Sequence, residues 1–384
     1  MGISQKEWVD FGRRSGLRCH RVSIGAMRLP ADDDQAVSLV RQAIDAGMIY
    51  IDTSRGYGDS EIKVGKALKD GYREKVILST KWSPWVAKIE EEDDSSAECT
   101  YKRIRESMER LDVTYLDFYQ VWSIMKPEHY EQAIVKGGML DGIRRAMDEG
   151  LVRHVGLTTH DTPENVSRYI DEADWCEAML FTYNIMDQTY RDVIAKAHDR
   201  GIATIVMNPL AGGLLAEDSS VLKKAIPCDS LVELGHRYVA GDPNVDTILC
   251  GISKPSDIVN TLENYAKPPL PEHERRSVEE ATAKLTKKAV GFCVGCGYCK
   301  PCPQGLEIPG IMHAVYLARL LEGPESGKSH YDWIASSEAQ TTASYCTQCG
   351  ECEERCTQKL NITEQMRYAA REFDGKDLPT PSQG

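Results

Sequence analysis

The sequence predicts an α/β chain that folds as a (β/α)8 TIM barrel with a smaller α-helical domain after it. Three observations carry that reading. Short β-branched runs alternate with helical patterns eight times over about 250 residues, the length and period of such a barrel. No G-x-G-x-x-G turn follows the first strand, whereas an open, doubly wound sheet would normally show one. Cysteine is unevenly spread: of the 13 in the chain, eight fall after residue 290, where the alternation has ended.

Taken in order, VSIGAMRL leads into DDQAVSLVRQAIDAG, MIYIDTS into SEIKVGKALKDG, KVILSTKW into AECTYKRIRESMERL, and YLDFYQVW into MLDGIRRAMDEG. VRHVGLTTH leads into ENVSRYIDEA, AMLFTYN into YRDVIAKAHDRG, ATIVMNPL into a glycine loop and SLVELGHRYVAG, and VDTILCGIS into SDIVNTLENYA. Residues 1–270 are therefore read as the barrel, the charged helical stretch 271–290 as a connector, and residues 291–384 as the cysteine-bearing domain. A long loop is expected from Ile124 to Gly138, and a flexible end at KDLPTPSQG.

With 46 Lys+Arg against 59 Asp+Glu the formal charge is −13, which repels nucleic acid and anionic membranes. Mean hydropathy is −0.41, and no apolar run approaches the roughly 20 residues of a bilayer span. The N-terminus carries no secretory pattern, and Gly2 fits part of a myristoylation motif only formally. A cytoplasmic protein with a small-molecule substrate is expected, and neither a nucleic-acid partner nor a membrane.

Cys19, Cys99, Cys176, Cys228 and Cys250 are scattered singly. The other eight form two runs, Cys293-x2-Cys296-x2-Cys299-x2-Cys302-Pro303 and Cys346-x2-Cys349-x2-Cys352-x3-Cys356. Disulfides are a poor reading for a cytosolic chain, and two-residue spacings place thiolates around one centre instead of stapling distant strands. Zinc is the rival, since four-cysteine zinc sites also use close pairs. Three thiolates at three-residue intervals suit three corners of a cubane, with the fourth ligand coming from the other run. Cys293, Cys296, Cys299 and Cys356 are therefore assigned to one [4Fe-4S] cluster, and Cys302, Cys346, Cys349 and Cys352 to a second, in a helical, ferredoxin-like domain. Thr357 stands where such runs usually carry proline, and IPGIMHAVYLARLLEG between the runs has helical periodicity.

In a barrel the chemistry sits at the C-terminal ends of the strands. Asp52 closes the second strand, Tyr57 follows it, and Lys81 closes the third. An ammonium beside a phenol favours its ionised form, and a carboxylate would hold that ammonium charged and in place. The trio makes a general acid for a carbonyl oxygen as hydride reaches its carbon. The plainer reading is a buried ion pair beside a packed tyrosine. Trp82 and Trp85 follow Lys81 as pocket lining or rim packing, and the acidic run at 90–94 reads as a solvated loop without ligand spacing.

These blocks, with Gly25-Ala26-Met27-Arg28-Leu29-Pro30, Gly156-Leu157-Thr158-Thr159-His160, Pro209-Leu210-Ala211-Gly212-Gly213-Leu214 and Gly251-Ile252-Ser253, make residues 22–266 resemble the aldo-keto reductases. With the cysteine tail the chain resembles the ferredoxin-bearing branch of that superfamily. The resemblance implies NADPH, less often NADH, extended across the barrel mouth, and Asp52, Tyr57 and Lys81 as three of four catalytic positions with Tyr57 the proton donor. It extends the cofactor site over Met27, Thr158, Thr159, Asn184, Met207, Pro209, Leu210, Gly212, Gly213, Ser253, Lys254 and Asp257. Backbone N–H groups of the 210–214 loop would meet the pyrophosphate, and Ser253 with Lys254 a 2′-phosphate.

The chain departs from the family in three places. Trp122 stands where the fourth catalytic position is a histidine, and an indole donates one hydrogen bond but accepts no proton. Leu180 replaces a glutamine, and Met207 an aromatic ring. His160, ending the fifth strand, is the candidate stand-in. Two readings of Trp122 follow: it orients a different substrate while Tyr57 still donates, or the pocket runs another reaction. The leading expectation is an iron–sulfur oxidoreductase moving hydride between NAD(P)H and a small, sugar-like carbonyl or hydroxyl compound, with a redox protein partner for the clusters. The alternatives are a non-redox lyase or epimerase, and a relay protein whose barrel has lost turnover.

Overall fold

The computed structural model describes residues 8–217, 219–289, 293–320, 325–337 and 342–379. Its strands and helices in chain order are β1 (Trp8–Asp10), β2 (Arg18–His20), β3 (Val22–Gly25), α1 (Asp33–Asp45), β4 (Tyr50–Asp52), α2 (Ser60–Ala67), β5 (Ile77–Trp82), α3 (Ala97–Leu111) and β6 (Leu116–Ile124). Then come α4 (Pro127–Ile134), α5 (Met139–Asp148), β7 (Val152–Thr159), α6 (Pro163–Glu172), β8 (Ala178–Thr182), α7 (Arg191–Asp199), β9 (Ala203–Met207), α8 (Ser220–Ala225), α9 (Leu231–Ala240), β10 (Thr247–Gly251) and α10 (Pro255–Tyr265). The chain continues with α11 (Glu272–Ala289), α12 (Ile308–Leu320), α13 (Glu325–Ser337), α14 (Glu351–Glu354) and α15 (Ile362–Asp374).

Strands β3 to β10 pair in parallel and close into a barrel, with β10 hydrogen-bonded to both β9 and β3. Such strands are buried on both faces, which is why they read as continuous apolar runs and not as alternations. Every residue of β5, β6 and β8 is buried. The helix starts follow ordinary capping chemistry. Asp32, Ser96 and Thr162 each accept the N–H three residues on, and Pro163 begins α6.

The antiparallel hairpin β1–β2 was not foreseen from the alternation. Phe11, in its turn, packs on Tyr50 and Phe118 at ring distances of 5.0 and 5.5 Å. Tyr50, Ile77, Ala178 and Ala203, each the first residue of its strand, share that cluster, so the hairpin closes the N-terminal end of the barrel. The long loop expected between Ile124 and Gly138 is instead largely the helix α4. Its signal was legible, since Pro127 occupies the first turn, where its missing N–H costs nothing.

The chain divides into two compact units, Met1–Pro209 with His236–Leu270, and Leu210–Gly235 with Pro271–Gly384. The segment after β9, expected within the first domain, thus groups with the cysteine-bearing one. The core of the second unit is apolar and helical: Ile311, Met312 and Val315 of α12, Tyr331 of α13 and Met366 and Phe373 of α15 are buried. Tyr331 ties it together, packing at a tilt on Phe373, donating to Asp374 and accepting the Ala343 N–H. Gly2 and residues 380–384 lie outside the described residues. Among the described residues no helix is long and apolar enough to cross a membrane.

Candidate active site and candidate cluster sites

Neighbouring strands β4 and β5 run in register, with Asp52 opposite Ser79, so both deliver polar side chains to the same barrel mouth. Lys81 Nζ donates to Asp52 Oδ1 and, at 2.9 Å, to the Thr53 carbonyl. Both side chains are almost fully buried, at 2% and 4% exposure. The ammonium lies over the Tyr57 ring, 4.9 Å from its centroid, so the Asp52–Lys81 pair and the Tyr57 ring are neighbours at the mouth. Burial pulls the Lys81 pKa below the ordinary lysine range, against the opposing pull of Asp52, and pushes the Asp52 carboxyl up. Both shifts oppose the charged forms, and the Lys81–Asp52 contact is what offsets that cost of burial.

Gln120 completes the arrangement and was not picked out from sequence. Its Nε2 stands 3.2 Å from Asp52 Oδ2 and 2.6 Å from Ser79 Oγ, which fixes the carboxylate from the side away from Lys81. Its Oε1 is buried without a hydrogen-bond partner among the described residues. The available signal was a polar residue inside the buried strand β6, two positions before Trp122 and therefore on the same face.

Trp122 is buried, and its ring stands edge-on to Tyr57 with centroids 5.4 Å apart. Two features make room for it. The β6–β7 register shifts between Val121 and Ile124, a bulge that re-aims the side chains it contains. Gly56 supplies the space: a Cβ there would sit 2.5 Å from the indole, so only glycine fits beside this ring. The bulge is held from both sides. Ser83 and Trp85 donate to the Trp122 carbonyl, and the Ser123 N–H goes to Thr158 Oγ1, with Ser123 at φ 58°. Trp85 also stacks on His129 of α4, so it anchors the mouth's rim. Trp82 donates to the Ala87 carbonyl from a fully buried position. In the acidic run, Asp93 clasps Arg103 and the N–H groups of Ile89 and Glu90, a loop fastening.

His160 follows β7 at the same end, buried, with its N–H on the Ile124 carbonyl. The candidate cofactor residues divide into two kinds. Thr158, Thr159 and Asn184 are buried and already engaged: Thr159 donates to Ile124, and Asn184 bridges the Asn208 carbonyl and the Met186 and Asp187 N–H groups. Asp257 caps α10, accepting from the Ser253 N–H and hydroxyl and from the Lys254 N–H. Gly213 N–H closes on the Leu210 carbonyl at 3.0 Å, and Pro209 is buried. Met27 and Lys254 are exposed, and Met207, Leu210 and Gly212 are half-buried.

The second unit brings its eight thiols into two sets. Cys293, Cys296, Cys299 and Cys356 line one cavity with Ile308, Met312 and Leu360. Cys302, Cys346, Cys349 and Cys352 line another with Leu306 and Met366, and Cys299 borders both. Burial and the neighbouring thiols push Cys299 up to about 12, and burial with Glu353 and two neighbouring thiols does the same to Cys352. Four thiols around each of two cavities are a donor set that fits a four-iron cluster in each. A single zinc ion, with bonds of about 2.3 Å, draws its ligands tightly together. Among the described residues no three His, Cys, Asp or Glu side chains are grouped for one metal ion. Thr357, in the usual proline place, is buried with its hydroxyl 3.8 Å from Cys296 Sγ. Cys299 and Cys356 are buried, whereas Cys349 is exposed.

A closed parallel barrel with an acid–amine–phenol group at its mouth, followed by a cysteine domain, defines a barrel oxidoreductase with an iron–sulfur module. Residues 21–283 match the aldo/keto reductase family and residues 292–361 the 4Fe-4S dicluster domain, and the chain belongs to the aldo/keto reductase family. It is 28% identical over 280 residues to L-galactose dehydrogenase of Arabidopsis thaliana, covering 64% of this chain and 83% of that protein. It is 22% identical over 315 residues to the uncharacterized oxidoreductase YqkF of Bacillus subtilis, covering 72% of this chain and 96% of that one. The structure superposes on aldo-keto reductase AKR11C1 from Bacillus halodurans in its holo form with a TM-score of 0.62 and 23% identity, covering 72% of this chain and 96% of that one. That last likeness establishes the fold.

Proposed function

We propose that this chain interconverts a small carbonyl compound and its alcohol by hydride exchange with NAD(P)H, with Tyr57 giving and taking the proton. The observation that carries the reading is the buried Lys81, bound to Asp52 and lying 4.9 Å from the Tyr57 ring. A nicotinamide held at the mouth would supply the hydride, the balance being NAD(P)H, carbonyl and one proton to NAD(P)+ and alcohol. Tyr57 delivers that proton to the oxygen. Lys81 stabilises the phenolate left behind, Asp52 holds Lys81, and Gln120 holds Asp52. Trp122 stands where a histidine would otherwise contact the oxygen, edge-on to the Tyr57 ring. The likeness to L-galactose dehydrogenase supports a sugar-like substrate with several hydroxyls.

Met27, Met207 and Lys254 are the residues of the barrel unit proposed to hold the nucleotide, because they face solvent wholly or in part; Thr158, Thr159, Asn184 and Asp257 shape the wall behind it. The two cysteine sets are proposed to hold two [4Fe-4S] clusters that exchange single electrons with a redox protein in the cytoplasm. A Tyr57→Phe variant tests the reading. Turnover should be lost by about a hundredfold or more, with NADPH affinity, read by tryptophan fluorescence, nearly unchanged. Full activity in that variant moves the proton donor elsewhere, and no quenching up to millimolar NADPH or NADH removes the nicotinamide.

A second reading rests on Trp122. A buried indole that needs both a bulge and Gly56 is a built feature of the pocket, and it suits acid–base chemistry by Tyr57 and Lys81 without hydride. Turnover that persists after every trace of nicotinamide is removed would favour this lyase or epimerase activity.

A further inference from the structure

The turn that follows β9 has an unusual backbone. Asn208, Ala211, Gly212 and Gly213 take positive φ values of 59°, 50°, 70° and 108°, and two of these residues carry a Cβ that disfavours that region. The turn is closed on itself, since the N–H groups of Gly213 and Leu215 both reach the Leu210 carbonyl. Gly212 has a second reason to be glycine. A Cβ on it would meet the Val294 carbonyl oxygen at 2.2 Å and the Val294 C and Cα at 2.5 Å. These are backbone atoms, so no side-chain rotation could relieve the clash. Val294 stands between Cys293 and Cys296 and lines the same cavity as both.

We infer that the 210–213 turn is the seat of the first cluster's ligand loop, and that Gly212 is the positioning residue that sets where Cys293 and Cys296 lie. The inference rests on the reading of Cys293, Cys296, Cys299 and Cys356 as cluster ligands. It gives the glycines of this loop a duty in the cysteine unit, beside the nucleotide contact expected of them. Anything larger at 212 pushes the Val294 backbone and moves two thiolates at once. The second set, Cys302, Cys346, Cys349 and Cys352, has no such dependence on the turn.

The experiment uses the full chain, purified anaerobically and reduced with dithionite, and reads both clusters by electron paramagnetic resonance alongside iron content. Wild-type protein with about eight iron atoms first establishes two clusters; protein lacking them refutes the ligand reading itself and leaves Gly212 without a cluster to place. Gly212→Ala should displace or abolish one of the two signals, with iron falling up to twofold toward about four atoms. Gly212→Asn should do the same, because asparagine tolerates positive φ but still brings a Cβ. Gly350→Ala, at φ 81° between Cys349 and Cys352 with open space around it, should alter the other signal and so assign the two. Ala211→Gly adds no atom and keeps the domain folded, but loosens the turn; it should broaden or shift the same signal that Gly212→Ala affects. Both signals and the iron content unchanged in Gly212→Ala would overturn the inference, as would an unchanged spectrum in Ala211→Gly should Gly212→Ala fail to fold. A change in NADPH affinity alone, with the clusters untouched, would overturn it too and leave the turn a nucleotide loop.

Discussion

The barrel mouth and the cysteine unit solve the same problem, holding reactive groups in place, by opposite means. At the mouth the groups come from strands far apart in sequence, Asp52, Lys81 and Gln120, and the closed sheet fixes them before any ligand arrives. Their partners are all protein atoms. In the cysteine unit the thiols come from loops with two-residue spacing, and burial and mutual crowding oppose their ionised form. There a cationic iron core, as proposed, would offset that crowding. The lesson is that the first unit holds its groups with strands of a closed sheet and the second with loops seated on a helical core.

Removing iron is the sharpest way to break that contrast. Chelation should cost the cysteine unit metal-binding energy on the order of 10 kcal/mol, enough to melt α12 and α15, while the barrel's thermal transition stays put. Circular dichroism melts of holo and stripped protein check this, and a single unchanged transition would place the iron outside the folding of its unit. Next in size, Lys81→Met should lower kcat by about a hundredfold to ten-thousandfold. It should also cost about 3–5 kcal/mol of stability, because Asp52 is left buried and unpaired. A kcat like that of the wild type would show that the ammonium plays no part in turnover.

His236 offers a contrast within the barrel unit. Burial against Tyr265 lowers its pKa from 6.5 to about 4, so the unfolded chain takes up a proton that the folded one refuses. Its contribution is therefore complete above pH 6.5 and lost as the pH falls toward 4, a total of about 3 kcal/mol. Denaturant midpoints of the wild type and His236→Phe at pH 7 and pH 5 should differ in slope, with the variant flatter. The smallest effect belongs to Gln120→Leu, which removes one donor from Asp52 and should cost about 1–3 kcal/mol. Its kcat should fall with KM little changed and the acid limb of the pH profile displaced; loss of stability alone would make Gln120 a core residue only.

Much of this was written in the chain. The eightfold alternation and the missing glycine fingerprint foretold the closed barrel, and strand ends pointed to Asp52 and Lys81, which the structure brings into contact beside the Tyr57 ring. Spacing sorted eight cysteines into two sets, and the same two sets line two cavities, with Cys299 bordering both. The hairpin β1–β2 escaped because three-residue strands are too short to show a period, and α4 because eight residues give barely two helical turns of pattern, with Pro127 in the first turn the only start signal. Gln120 escaped because its meaning lies in Asp52, 68 positions away. The second duty of Gly212 escaped for the same reason: a glycine loop looks alike whether it cradles a phosphate or admits another backbone, and only the neighbour at Val294 tells the two apart.

The pairing of Gly56 with Trp122 also limits how this barrel can change. Grafting an imidazole into position 122 would leave a hollow between strand and loop, because the residue across from it has already given up its side chain to the larger ring. A conversion to the usual tetrad therefore needs at least two coordinated replacements, and each alone leads through a poorly packed intermediate. The tryptophan is locked in by its neighbour, and a substrate-swapping experiment that alters only one of the two is starting from the wrong side of a ratchet.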